Sequence, residues 1–260
     1  LATADVSIAM GKGSDIAKRR LDLSEIFACD ISDTEKEYKA LFALQTTYAI
    51  IVKLIACKVV DRLNFNEDAH DYHDLSILPS DKMQRFFQEI EDGYSYTSEG
   101  IRNFLEGDFF SWYADENQWS EEFWLNIKQI IIVLDEYSTF SFNVKYNPVD
   151  VFKDLYMSII PQSVRHSMGE YFTPEWLADR VISEALNGIQ KQEWKAMDPC
   201  CGSGIFVIAL IKKVVGDIDV SELSDVERKV LLNSIIERVH GIDINPLSVL
   251  SARVSYYFAI

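Results

Sequence analysis

The chain has 260 residues, 48% of them hydrophobic and 12% aromatic, a composition that excludes an intrinsically disordered protein. Its formal net charge of −16 provides no basic surface of the kind that DNA-binding proteins use, so charge does not indicate a nucleic-acid substrate. The most apolar run, 48–60, is interrupted by Lys53 and Lys58, and no signal peptide precedes it, so we expect a cytoplasmic protein that does not contact a membrane.

Residues 1–160 are predicted to form a mostly helical domain. Apolar residues recur at helical spacing, between capping and stop signals, over 34–63, 81–92, 98–106, 121–137 and 149–160. Thr34 or Asp33 could cap the first of these helices. Before them, residues 4–15 echo a segment of P-type ATPases and haloacid-dehalogenase-like phosphatases. The aspartate motifs of those families are absent, so we expect only a short strand and a turn there.

Three features of this half favour structural explanations over functional ones. His70 and His73 lie among aspartates in 64–80, which we predict to be a solvated polar loop and not a metal site. The aromatic cluster at 109–113 is expected to pack between helices, because no basic residues interleave for nucleotide binding. The four cysteines contain no C-x-x-C pair, so a zinc site is not expected.

Strands and helices are predicted to alternate in the second domain, 161–260. Thr173 is expected to cap a helix over 175–186, and a strand ending at Asp198 leads through a glycine-rich turn into a helix reaching about 215. A helix within 221–237 follows, in which Ser224 and Glu227 fit a capping box. A strand ending at Asp243 and a helix from Pro246 come after it. This alternation predicts a parallel sheet, and with it an α/β fold.

The turn after the first strand is the most informative stretch. Gly202 and Gly204 allow the backbone to turn tightly and to approach a ligand, while the amino end of the next helix presents N–H groups. The turn lacks the Gly-Lys-Ser/Thr ending of a phosphate loop and the third glycine of a dinucleotide fingerprint. It therefore predicts a ligand site of another kind at the carboxyl end of the strand.

Three segments carry a family resemblance. Residues 198–206, Asp-Pro-Cys-Cys-Gly-Ser-Gly-Ile-Phe, resemble the first motif of S-adenosylmethionine-dependent DNA methyltransferases that modify exocyclic amino groups. Residues 239–246, Val-His-Gly-Ile-Asp-Ile-Asn-Pro, resemble a second strand of that fold, one that ends in an acid. Residues 169–174, Gly-Glu-Tyr-Phe-Thr-Pro, resemble a segment typical of the N6-adenine methyltransferases of restriction–modification and phage-defence systems.

The resemblance implies S-adenosylmethionine as the cofactor and assigns its contacts. Asp198 and the turn at Gly202 and Gly204 would hold the amino and carboxylate ends of its methionine, and Thr173 would also reach the carboxylate. Asp243 would bind the ribose hydroxyls, because a carboxylate can accept from both.

The neighbours of these residues have less specific expectations. Ile244 would pack on the adenine ring, and Cys201, which fills a motif position, is expected to pack beside the turn and not to act as a nucleophile. Glu170 is expected to be a surface charge, with ordering of a lid over the cofactor as the alternative. Tyr171 and Phe172 could equally be core or ligand-contacting residues.

No catalytic residue is assigned within the chain. In this family an Asn/Asp-Pro-Pro-aromatic segment contacts the flipped target base, and we expect it to lie beyond Ile260. We therefore expect a fragment: the first half of a Rossmann-like methyltransferase sheet, truncated, and inactive alone. Double-stranded DNA would bind through parts outside this chain, and a specificity or nuclease subunit, or a fused domain, would accompany it.

Two other functions remain open. A methyltransferase acting on RNA or protein would share the cofactor motifs but need not carry the Pro-Pro-aromatic segment. A non-catalytic interaction module could retain the fold alone, although the presence of Asp198, Gly202, Gly204 and Asp243 argues against it.

Overall fold

The computed structural model describes residues 13–63, 71–97, 100–106, 109–136, 151–190 and 194–260. In these ranges the chain is mostly helical, and its two strands, β1 Ala196–Asp198 and β2 Val239–Gly241, pair in parallel. The helices are α1 Gly13–Phe27, α2 Thr34–Leu63, α3 Tyr72–Ile77, α4 Ser80–Glu91, α5 Tyr94–Thr97, α6 Glu121–Glu136, α7 Val151–Ile159, α8 Gln162–Ser167, α9 Glu175–Ala185, α10 Ile205–Val215, α11 Asp225–Arg238 and α12 Pro246–Ala259. Short 3-10 turns occupy Trp112–Ala114 and Val220–Glu222.

The predicted parallel pairing is confirmed, and helices with a parallel sheet agree with an α/β fold. Ala196 pairs with Val239 and Asp198 with Gly241, so both strands end at the same edge. The connection between them runs through α10 and α11, as a parallel crossover requires. Two strands do not define a Rossmann-like order, and that part of the expectation stays a prediction.

The long helix α2 organises the helical region. It begins where Asp33 Oδ1 accepts from the backbone N–H of Lys36 at 2.9 Å, which confirms the predicted cap, and it ends at the predicted Leu63. Its buried residues include Tyr48, Val52 and Ile55. Because it packs among other helices, most of its apolar surface is covered.

The length and composition of α2 raise the question of whether it could span a membrane. Over Thr34–Val60 it is long and apolar enough, by length and composition only, to cross a membrane. However, 67% of the apolar stretch of this helix is buried inside the protein, as in the core helix of a globular domain. This burial favours packing of the helix inside the protein over insertion into a membrane.

Several other boundaries in the first half differ from expectation. The polar loop predicted at 64–80 contains α3 and the start of α4, since Tyr72 and Leu75 bury their side chains. The helix predicted over 98–106 is wrong: 100–106 is irregular, and the short helix α5 precedes it. The predicted strand at 4–15 lies outside the described residues up to 12, and residues 13–15 begin α1. In the aromatic cluster Phe110 and Tyr113 are buried, as predicted, whereas Phe109 is exposed.

The second half follows its prediction more closely. Ser224 and Glu227 form the expected capping box at the start of α11, and Asn245 caps α12 by accepting from Leu247 N at 3.0 Å. Two details were wrong. The residue at the cap of α9 is Pro174 and not Thr173, and β2 ends at Gly241, two residues before Asp243. The short helix α8 was not predicted from the sequence.

Helix α12 contacts both parts of the molecule. Leu247, Leu250 and Val254 belong to the core of the helical region, whereas Ala252 and Tyr256 pack against the core around the strands. The boundary predicted at residue 160 stays a prediction. Helix α12 brings the strand-containing part into contact with α2 and α7.

Candidate functional site

The site begins where β1 ends. Asp198 Oδ1 accepts from the backbone N–H of Cys200 at 3.0 Å, which folds the chain into a tight turn. Its other oxygen, Oδ2, is buried and has no hydrogen-bond partner among the described residues. A buried carboxylate oxygen without a donor is unfavourable, so this atom is well placed to receive one from a ligand.

Glycines are required in the turn by conformation. Gly202 and Gly204 adopt φ values of 54° and 102°, in the left-handed region that other residues avoid. A Cβ on Gly204 would lie 3.5 Å from the backbone of Ala252, an ordinary contact, so the backbone and not the space selects glycine there. Gly204 is the residue that leads into α10.

Asp243 joins the turn to the second strand. Its Oδ2 accepts from Gly202 N at 2.9 Å, and its Oδ1 accepts from Asn245 N at 2.8 Å. Backbone bonds from Ile242 N to the Asp198 carbonyl and from Cys201 N to the Ile242 carbonyl continue the pairing beyond the strands. The structure therefore brings Asp198, Gly202, Gly204 and Asp243 together, as predicted, although their roles toward a ligand stay predictions.

Cys201 packs behind the turn. Its side chain is buried, and a Cβ at Gly241 would lie 3.0 Å from its Cβ and 3.1 Å from its Sγ. Burial, together with nearby Asp243 and Asp198, raises the pKa of the thiol to about 11. The protonated thiol is a poor nucleophile, which agrees with the predicted packing role.

Glu170 is the main residue whose environment was wrongly predicted. It is half-buried and not a surface charge: Oε2 accepts from Tyr156 Oη at 2.8 Å, and Oε1 accepts from Asn245 Nδ2 at 2.9 Å. Burial raises the pKa of this carboxyl, while the two hydrogen bonds and Arg165 act in the opposite direction. Nothing in the sequence pattern around Tyr156 or Asn245 indicated this contact, which joins residues 75 positions apart.

The two remaining predicted cofactor residues lie at the border of this group. Ile244 follows Asp243 directly, and its side chain is 100% exposed, so the face predicted to contact adenine is open. Thr173 is half-buried on the segment that Glu170 attaches to Asn245, one residue before the cap of α9. Their predicted contacts remain expectations, as does any contact of Tyr171, which is exposed, and Phe172, which packs on Tyr156.

Acidic groups dominate the site. Among the residues that the structure describes, Asp198, Glu170 and Asp243 form no salt bridge. In the same ranges no group of three or more His, Cys, Asp or Glu residues is arranged to hold a metal ion. His73 lies in α3, and His70 lies outside the described residues. The three carboxylates thus suit a ligand that brings hydrogen-bond donors and positive charge.

This arrangement defines a class of site. A strand, a glycine turn and a helix place one acid beneath the turn and a second acid after the neighbouring parallel strand, where α/β proteins bind nucleotide-like ligands. Residues 147–249 match the family model described as N-6 DNA Methylase. For this part of the chain, the match confirms the resemblance to N6-adenine DNA methyltransferases seen in the sequence.

One curated relative supports the assignment. The chain is 35% identical over 85 residues to a protein of Streptomyces coelicolor named adenine-specific methyltransferase PglX. The alignment covers 32% of this chain and 7% of that relative, so the chain matches a small part of the relative's length.

Proposed function

We propose that this chain forms the S-adenosylmethionine-binding front of an adenine-specific DNA methyltransferase. The observation that carries the proposal is the pair formed by Asp198 and Asp243 at the edge of the sheet. One acid has a buried oxygen without a donor, and the other is fixed by two backbone N–H groups. When bound, the cofactor would supply a methyl group on a sulfonium.

The donor set of that cofactor matches the acids. Its α-ammonium group would give Asp198 Oδ2 the charged hydrogen bond that the protein does not provide. Each oxygen of Asp243 uses one acceptor position for a backbone N–H and keeps another for a ribose hydroxyl. The amino end of α10, which follows Gly204, offers N–H groups to the cofactor's carboxylate, and Thr173 would add a hydroxyl.

The exposed Ile244 would then cover one face of the adenine ring. The chain's contribution to methyl transfer is to bind and orient the donor and to exclude water from it. The acceptor amine would be held by a segment of the Asn/Asp-Pro-Pro-aromatic kind.

DNA adenine is favoured as the acceptor by the comparisons alone. The matching family model and the printed name of the relative both refer to adenine methylation. The net charge of −16 means that DNA contacts would come from other parts of the protein, or from a specificity or nuclease partner, within a cytoplasmic restriction–modification or related defence system. Methylation of RNA or protein, or a non-catalytic role, remain the alternatives.

The cofactor assignment is tested by Asp198→Asn in the full-length protein. Asparagine keeps an oxygen for the Cys200 N–H but removes the negative charge. The turn should therefore persist, while the ammonium group of the cofactor loses its ionic partner. We expect the affinity for S-adenosylmethionine, measured by calorimetric titration, to fall about tenfold to a hundredfold, since hydrogen bonds to charged groups contribute roughly 1.5–3 kcal/mol.

Asp219→Asn is the matched control. Asp219 accepts from Ser221 N at 3.0 Å in the same local geometry, but it is exposed and lies beyond the carboxyl end of α10, whereas the turn lies at the amino end of that helix. It should leave the affinity unchanged. Equal affinities of the wild-type protein and the Asp198→Asn variant would contradict the assignment, and a wild-type protein that does not bind the cofactor would favour the interaction-module alternative.

The acceptor is tested by incubating the full-length protein with duplex DNA and S-adenosylmethionine carrying a labelled methyl group. Label recovered as N6-methyladenine after digestion is the expected result. Label that enters RNA or protein, but not DNA, would replace the adenine proposal with one of the alternatives.

A further inference from the structure

A chain of hydrogen bonds connects the helical region to the predicted ribose site. It starts at Tyr156 in α7, whose hydroxyl donates to Glu170, and continues through Asn245 Nδ2, which donates to the other oxygen of Glu170. The backbone N–H of Asn245 then donates to Asp243, and the opposite oxygen of Asp243 accepts from Gly202 N. All four links measure 2.8–2.9 Å.

Each residue in this chain of hydrogen bonds makes contacts on at least two sides. Asn245 uses Oδ1 to cap α12, so its side chain is fixed between the helix and Glu170. Tyr156 is buried, with its ring edge-on to Tyr48 at 5.0 Å and to Phe172 at 5.8 Å. Tyr48 in turn donates to the Phe152 carbonyl and shares a 2.7 Å bond with Ser251 of α12. The helical region therefore holds the chain in place.

This chain of hydrogen bonds determines the position of the Asp243 carboxylate. A carboxylate that accepts from two adjacent hydroxyls must keep its plane and its rotation within narrow limits, since misplacement by 1 Å removes one of the bonds. Asn245 supplies one of the two backbone donors that orient Asp243, and Glu170 fixes Asn245 from the side opposite to α12.

We propose that Glu170 and Asn245, anchored by Tyr156 of the helical region, are positioning residues that orient the Asp243 carboxylate for the two ribose hydroxyls of the cofactor. The inference rests on the proposed function, since it concerns the same cofactor. It assigns the acidic helical region a direct part in cofactor selection.

The charged and titratable groups around Glu170 agree with this role. Tyr156 faces it from α7, Arg165 from α8, and Asn245 and Asp243 from the segment before α12. Burial raises the pKa of Tyr156, with Glu170 adding to the effect, so its hydroxyl stays a donor. Ionised Glu170 accepts from Tyr156 and Asn245 together. A protonated Glu170 would present a donor to one of them, and Asn245 Nδ2 cannot accept it.

The test uses two ligands and two conservative variants of the full-length protein. Asn245→Ser keeps an oxygen that can cap α12 but removes the amide donor to Glu170, and Tyr156→Phe removes only the hydroxyl. The ligands are S-adenosylhomocysteine and its 2′-deoxy analogue. The measured quantity is the ratio of their dissociation constants.

We expect the wild-type protein to prefer the ribose form by roughly tenfold or more, the value of one hydrogen bond to a charged group. In both variants the ratio should fall by about threefold to tenfold, with the affinity for the deoxy analogue nearly unchanged. A purely structural role would weaken both ligands equally and leave the ratio at its wild-type value, and that result would overturn the inference.

Tyr72→Phe is the control for loss of a buried tyrosine hydroxyl in the helical region. Tyr72 donates to the Leu54 carbonyl at 3.2 Å, away from Glu170. It should leave the ratio unchanged. A fall as large as that of Tyr156→Phe would contradict a specific positioning role. If the wild-type protein binds neither ligand, the proposed function itself fails. If it binds both without preference, the ribose contact of Asp243 is wrong, and the inference fails with it.

Discussion

The buried acids of the helical region and the half-buried acids of the candidate site have different partners. In the helical region, Glu91 of α4 is paired with Lys53 of α2 and accepts from Tyr113 Oη at 2.6 Å. Glu37 is likewise paired with Arg19 and Arg20. In the strand-containing region, by contrast, Asp198, Glu170 and Asp243 form no salt bridge within the described part of the chain, although Arg165 lies near Glu170.

The difference separates acids that stabilise the fold from acids available to a ligand. A buried carboxylate needs compensation, and the protein supplies a cation in the first region. In the second it supplies mainly backbone N–H groups, which orient the carboxylates without neutralising them. The uncompensated charge is therefore concentrated at one edge of the sheet.

The largest expected effect is that of breaking a pair in the helical region. Lys53→Met leaves Glu91 buried without its cation, and such changes cost about 3–5 kcal/mol. Urea unfolding of the purified protein should show this loss as a lower midpoint at an unchanged slope. The affinity for S-adenosylmethionine, measured where both proteins are folded, should not change.

A double variant sharpens the comparison. Lys53→Met combined with Glu91→Gln removes both charges but keeps an acceptor for Tyr113, so it should recover most of the lost stability. If the single and double variants are equally unstable, the cost lies in packing and not in charge. The contrast between paired and unpaired acids would then lose its energetic basis.

The sequence predicted the local parts of both regions and missed the long-range ones. The caps at Asp33 and Ser224 and the glycine turn depend on residues a few positions apart, and each was confirmed. Asp198 and Asp243 lie close together as expected, because parallel strands end at the same edge of the sheet. Caps, turns and strand ends are set by local chemistry that a single sequence displays.

Contacts between distant segments are different. The bond between Glu170 and Asn245 spans 75 residues, and that between Tyr48 and Ser251 spans 203. No local pattern distinguishes Glu170 from an exposed glutamate, which is why it was expected on the surface. Likewise α3 was missed because its polar residues resemble a loop, whereas packing of Tyr72 and Leu75 stabilises the helix.

A medium effect should come from the glycine turn. Gly204→Ala places a side chain on a backbone with φ of 102°, which should cost about 1–2 kcal/mol and displace the turn that holds the cofactor. We expect lower stability in urea unfolding together with weaker binding of S-adenosylmethionine.

Gly188→Ala is the matched control for backbone strain. Gly188 has φ of 79°, and a Cβ there would meet no atom within 4 Å, so its cost is conformational as well. It lies in the exposed loop after α9, away from the site. It should lose similar stability but bind normally. Weaker cofactor binding by both variants would mean that affinity follows global stability and not the geometry of the turn.

The smallest expected effect concerns the pH dependence of stability. Burial raises the pKa of Glu170 in the folded protein, so the folded protein holds the carboxyl proton more tightly than the unfolded chain does. Its stabilising contribution is complete below the ordinary carboxyl pKa and is lost as the pH rises through the raised value. Glu170→Gln does not titrate. The melting temperature of this variant relative to the wild type should therefore increase across that interval, while its preference for the ribose ligand should not improve.

A relative melting temperature that stays flat or falls would show that the hydrogen bonds from Tyr156 and Asn245 outweigh burial. Glu170 would then belong with the compensated acids of the helical region, and the two regions would differ less than their charge pairs suggest.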